Sequence, residues 1–127
     1  MVVPAVGDVY RIQVTEVYPP KTKRCICIHP TGLWFFLINS ENRDIYDCIP
    51  ILKEKNNFLD YDSYISTNRT FEFDNELILK SNYLGRISEN DIGAILNRVN
   101  NSKFLSQNQK TEIINSISYW KTNNTTP

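Results

Sequence analysis

Over the first two thirds of the chain, apolar and polar residues alternate with the period of a strand; over the last third, apolar positions recur with the period of a helix. The segment D-V-Y-R-I-Q-V-T-E-V-Y, Asp8 to Tyr18, sets Val9, Ile12, Val14 and Val17 against Arg11, Gln13, Thr15 and Glu16. Tyr10 departs from the alternation, and the stretch predicts an opening strand with one buried face. Gly7-Asp8 starts it and Pro19-Pro20 stops it, because proline cannot donate to a ladder. After the basic loop K-T-K-R comes the densest apolar run, Arg24 to Ser40. Pro30-Thr31-Gly32 splits that run and predicts a strand, a turn and a second strand, since proline fixes φ and glycine tolerates positive φ.

The two far ends of such a hairpin lie side by side, which brings Arg24 toward Asn39, Ser40 and Glu41. Beyond it, Glu41 to Asp44 reads as a polar turn. I-Y-D-C-I-P-I-L reads as a strand that Pro50 confines to an edge or a bulge. F-L-D-Y-D-S-Y-I-S and T-F-E-F-D predict two further short strands. Five or six short strands in a small chain, without intervening long helices, point to a small barrel or tightly coiled sheet.

The period then changes. Ser88 with Asp91 forms a capping pattern, flanked by a hydrophobic staple of Ile87 and Ile92, and Ile92, Ile95, Leu96 and Val99 make one helical stripe. Ser106 with Gln109 repeats the cap, and Ile113, Ile114, Ile117 and Trp120 make a second stripe. Each helix has one apolar face to cover, either against the open side of the strands or in a dimer interface. One domain is therefore expected over residues 1–120, followed by a polar, frayed tail over 121–127.

Composition narrows the function classes. The 127 residues are 41% hydrophobic, with 14 basic and 14 acidic side chains, so the chain suits a single globular domain and any nucleic-acid affinity must come from a local patch. The start lacks the basic and apolar regions of a signal peptide, and no apolar run approaches the ~18 residues of a membrane span. We expect a cytoplasmic protein with no membrane partner, with reduced cysteines and unused sequons at Asn68 and Asn123.

Several groups carry possible chemistry. Cys25, Cys27 and His29 occupy alternate positions of one strand and, with Cys48, could offer four zinc ligands. The spacing is not that of a C-x-x-C knuckle, and core packing of small apolar thiols is the favoured reading, with no metal expected. His29 beside Pro30 could act as an acid or base, but reads more simply as a surface turn histidine. Asp60 and Asp62 would share a strand face as paired carboxylates, or form a solvated acidic loop. No phosphate-binding glycine loop, H-E-x-x-H helix or G-x-S-x-G elbow is present, which disfavours the familiar cofactor enzymes, and no cofactor is expected. Lys21, Lys23 and Arg24, with Arg43 across the hairpin end and Tyr18 and Tyr46 flanking, could instead hold a nucleic-acid single strand, cations on phosphates and rings on bases.

The order G-D-V-Y-R-I, then a basic loop ending in arginine, an apolar strand ending in I-N-S, and L-G-R-I-S-E-N-D-I before a terminal helix, resembles the PemK/MazF-like toxins. The resemblance spans nearly the whole chain as weak motifs in order. It implies a mainly β fold with C-terminal helices, a small SH3-like barrel of the plasmid-toxin type. It also implies a homodimer that cleaves single-stranded RNA sequence-specifically without metal and is neutralised by a cognate antitoxin protein. Arg24 stands where the family's catalytic arginine falls, and Ser40 where its serine or threonine ends the third strand. A guanidinium fork suits the charge that develops on phosphorus when an RNA 2′-hydroxyl attacks, and a serine hydroxyl can hold a phosphate oxygen or the leaving group. The loop P-P-K-T-K-R-C lacks the family's usual glycine, acid and following proline. The alternative implied is an inactive barrel of the same kind that binds RNA or a partner protein.

Overall fold

A computed structural model describes residues 3–123. Six strands form one antiparallel open sheet in the order β4-β5-β3-β2-β1-β6. They are β1 (Asp8–Val14), β2 (Lys21–His29), β3 (Trp34–Asn39), β4 (Cys48–Ile51), β5 (Ser63–Glu72) and β6 (Asn82–Arg86); the helices are α1 (Asn75–Leu79), α2 (Glu89–Asn100) and α3 (Gln107–Asn123). The mainly β body and the C-terminal helices are as expected, and β4 and β6 are the two edges of the sheet rather than partners closing a ring. Pro50 sits in β4, where a residue without an N–H is tolerated because only one side of the strand is paired. Among the described residues no helix is long and apolar enough to cross a membrane.

The central strands are buried on both faces. Val9, Ile26, Ile28, Phe36, Ile38 and Ile65 point one way, into a core closed by Ile92, Ile95 and Val99 of α2 and by Ile113 and Ile117 of α3. Tyr10, Ile12, Cys25, Cys27, Phe35 and Leu37 point the other way, into a second core shared with Phe71, Phe73 and Ile78 of α1. The expectation of one buried face for β1 is thus corrected, because Val9 and Tyr10, neighbours in sequence, fill different cores. The second core is built largely of rings, with Phe35 and Phe73 centroids 5.4 Å apart and Tyr10 edge-on to Phe35.

Both helix starts are capped as the sequence indicates. Ser88 Oγ accepts from Asp91 N, Ser106 Oγ accepts from Gln109 N, and Gln109 Oε1 in return accepts from Ser106 N. The staple residues Ile87 and Ile92 lie together in the first core. Helix α3 extends to Asn123, so the first residues of the expected frayed tail are helical, and residues 124–127 lie outside the described part. The two short strands expected around Ser63 and Phe71 are one ten-residue strand, β5, which joins β4 to β3 and whose pairing with β3 is interrupted by a bulge at the polar stretch Asn68-Arg69-Thr70. Helix α1 and strand β6 were not expected. Each is only five residues long, too short for either period to register.

The hairpin turn also departs from expectation. Left-handed backbone falls on Leu33, at φ 56°, whose N–H reaches Pro30 C=O. Gly32 is needed for space instead: a Cβ there would lie 2.8 Å from His29 Cδ2 and 3.0 Å from Trp34 Nε1. A register shift between Cys27 and His29 turns the imidazole away from the cysteines. It is buried rather than a surface group, its Nδ1 hydrogen-bonded to Ser116 Oγ of α3, its Nε2 3.4 Å from Glu112, and its ring edge-on to Trp34. The histidine therefore ties α3 to the hairpin. We expect Gly32→Ala to cost roughly 1–3 kcal/mol by crowding this ring, and clearly less in a His29→Ala background, as read by urea denaturation. An equal cost in both backgrounds would move the demand for space from the imidazole to the Trp34 indole.

Candidate nucleic-acid interface

At the end of the sheet where β2 begins and β3 finishes, the two cores run out and polar side chains take over the same alternation. Lys21 and Lys23 continue the Cys25 side of β2, whereas Thr22 and Arg24 continue the Ile26 side. A cavity of about 540 Å³ opens on the lysine side and gathers Tyr18, Lys21, Lys23, Ser40, Arg43 and Tyr46. These come from the β1–β2 loop, from β2 and from the segment after β3, and all were singled out from sequence as RNA contacts or, for Ser40, as catalytic. A second groove of about 550 Å³ lies on the arginine side, lined by Arg11, Thr22, Arg24 and Tyr61. Lys23, Asn39 and Ser40 line both. They form the rim over which the two grooves meet.

Within the first groove the cations are partly held. Lys23 Nζ donates to Asn39 Oδ1, and Asn39 Nδ2 donates to Ser66 Oγ at 2.6 Å. Partial burial, and next the charge of Lys21, push the Lys23 ammonium below its ordinary pKa. Arg43 is paired with Glu41 at 2.8 Å, and its guanidinium stands 6.0 Å from the centre of the Tyr46 ring. The hydrogen bond from Arg43, reinforced by its charge, holds the Glu41 carboxyl below the usual carboxylate range. Tyr18 is 99% exposed, a free ring at the mouth. Arg69 of β5 also lines this groove, stacked over Phe71 at 4.2 Å, and sequence reading missed it. The signal available was the polar Asn68-Arg69-Thr70 interruption, which marks the place where the long strand leaves the core.

Arg24 is near Ser40, but not paired with it. Its cross-strand partner is Ile38, and its Nη2 donates to Asp60 Oδ2 at 2.6 Å. Asp60 and Asp62 do not share a strand face, since both precede β5. Asp62 accepts instead from Lys53 N at 2.9 Å. The loop between β4 and β5 is well anchored. Asn56, buried, accepts from Ser88 N and donates to Asp91 Oδ2 and Leu52 O, while Lys53 Nζ reaches Leu59 O and Leu59 is buried in the helix-side core.

The zinc alternative finds no support in the placement of its residues. Cys25 and Cys27 are sealed in the aromatic core, where burial pushes both thiols up, Cys27 to about 12, and Cys48 lies on the edge strand with its thiol toward Arg43 C=O. Among the described residues no group of three or more His, Cys, Asp or Glu side chains could hold a metal ion.

No protein-family model and no curated protein matches the chain.

Asp60 supplies a direct check of this geometry. The hydrogen bond and charge of Arg24 lower its pKa, with smaller help from Lys53 and Arg11. A carboxylate whose folded pKa is depressed stabilises the fold above its unfolded value of about 3.9, and that contribution disappears as pH falls through the folded value. Carboxyl NMR titration should find Asp60 ionising below the ordinary range in the wild type and within it in Arg24→Gln. Identical titrations would mean that the pair does not form in solution.

Proposed function

We propose that the protein is a metal-independent, sequence-specific endoribonuclease of the PemK/MazF type that cuts single-stranded RNA as the toxin of a toxin-antitoxin pair, on a sheet coiled in the manner of an SH3-like plasmid-toxin barrel. The observation that carries this reading is the convergence of Tyr18, Lys21, Lys23, Arg43 and Tyr46 on one groove whose rim, at Ser40, opens onto the groove of Arg24. Cations interleaved with exposed rings suit a single strand, because phosphates meet charge while every base offers a face to stack. A polymer can lie across a rim that a compact ligand would not span. The homodimer and the neutralising antitoxin belong to the same proposal and rest on the resemblance alone.

In this reading the RNA 2′-oxygen attacks the adjacent phosphorus, the bond to the 5′-oxygen breaks, and a cyclic phosphate remains on the upstream fragment. Arg24 balances the charge that grows on the phosphorane oxygens, and Ser40 hydrogen-bonds a phosphate oxygen or the leaving 5′-oxygen. Among the described residues that line the Arg24 groove none is a carboxylate or an imidazole, and the Asp60 carboxylate beside it is tied up by Arg24 itself. Lys23, on the rim shared by the two grooves, adds its charge to the bound phosphate, while the 2′-hydroxyl proton passes to water and the departing 5′-oxygen takes one up from it. A second reading, RNA binding without cleavage, is favoured by one observation: the Arg24 guanidinium is already occupied by Asp60.

Purified protein should cut single-stranded RNA in the presence of a chelator, and Arg24→Ala should slow cutting by roughly a hundredfold or more. Stable binding with no products, from a well-folded wild type, would leave only the second reading. Arg69→Ala should weaken binding across sequences and lower the slope of log affinity against log salt by about 0.7, the share of one phosphate contact on a single strand. An unchanged slope would remove Arg69 from the path of the RNA.

A further inference from the structure

Arg11 and Arg24 are direct cross-strand partners on β1 and β2. Side chains opposed in this way leave the sheet on the same side about 5 Å apart, and like charges so placed repel. They emerge on the helix-facing side just past Val9 and Ile26, where the first core ends. The counter-charge is Asp60, bound to Arg24 and lying in the combined field of Arg24, Lys53 and Arg11.

Asp60 is brought there by construction. On its N-terminal side, buried Asn56 fastens the loop to Ser88 and Asp91 at the start of α2, and buried Leu59 anchors the residue before it; on its C-terminal side Asp62 accepts from Lys53 N. The loop is fixed, but the Asp60 side chain itself is 72% exposed and can rotate without disturbing any of these anchors. Its carboxylate engages Nη2 of Arg24, while the enclosed Nε has no hydrogen-bond partner among the described residues. A guanidinium fork accommodates a two-pronged acceptor, and Asp60 uses one prong.

We propose that Arg11 and Arg24 form a subsite for a backbone phosphate of single-stranded RNA, and that Asp60 is an internal competitor which turns aside when the phosphate enters. This rests on the RNA reading above and adds to it two residues and a form of self-restraint. A phosphodiester and a carboxylate each carry one negative charge, so the phosphate can take over the contact to Arg24 at the cost of one ion pair whose carboxylate side is exposed. Because the loop tethers Asp60, it competes at a fixed effective concentration, and apparent affinity falls by the fraction of molecules in which Arg24 is free. Tyr61, half exposed in the same groove, offers the neighbouring base a ring.

The test uses a short fluorescein-labelled 2′-O-methyl RNA, which binds but cannot be cut, read by anisotropy at fixed salt. Asp60→Asn keeps the size of the side chain and removes its charge, and should bind about tenfold more tightly than the wild type if Asp60 holds Arg24 roughly nine-tenths of the time. Adding Arg11→Gln to Asp60→Asn should reverse most of that gain. Unchanged or weaker binding by Asp60→Asn, with the wild type still binding RNA, overturns this inference and leaves the RNA reading intact. A gain that survives Arg11→Gln overturns the two-arginine subsite, and an RNA that neither protein binds overturns the inference together with the reading beneath it.

Discussion

Period-two alternation in strands that are covered on both sides governs this molecule. In β1, β2 and β3, adjacent residues belong to different cores, one lying under α2 and α3 and the other built of aromatic rings over α1. Such strands leave no room for polar chemistry along their length, so functional groups can emerge only where both cores end. That happens at the start of β2 and the finish of β3. The same alternation that sorts Cys25 from Ile26 then sorts Lys23 from Arg24, sending one to each face. Two grooves back to back, with Lys23, Asn39 and Ser40 as their shared edge, follow from the strand geometry.

The elements with strong periodic or capping signals were legible in the sequence: the hairpin, the edge strand with Pro50, and both long helices with their caps at Ser88 and Ser106. What escaped was decided by partners distant in sequence. His29 looked like a turn residue because nothing near it in the chain announces Ser116 and Glu112, which approach only once α3 docks. Gly32 looked like a residue wanted for its backbone freedom, yet its neighbours in space are an imidazole and an indole.

The site shows the same division. The cations and tyrosines flanking the hairpin could be named from local sequence because loop and strand ends bring them together. The places of Arg11, Asp60 and Arg69 at the grooves depend instead on distant pairing: β1 against β2 for Arg11, the fold-back of the β4–β5 loop for Asp60, and the bulge of β5 against β3 for Arg69. Arg24 itself was placed near Ser40 correctly, but hairpin geometry says which residues are close and not which face each one takes. Its guanidinium went to a carboxylate far along the chain.

The fate of the three cysteines has a practical side. A thiol reacts as its thiolate, and burial suppresses that form in Cys25 and Cys27, which stand on β2 with the aromatic core around them. Cys48, on the outermost strand and partly open, is left as the cysteine within reach of a reagent. The native chain thus carries a single natural attachment point for a fluorophore or spin label, on the strand next to β5 and joined through its carbonyl to Arg98 of α2. Motion of the sheet edge against the helices could be followed from there without altering a residue of either groove.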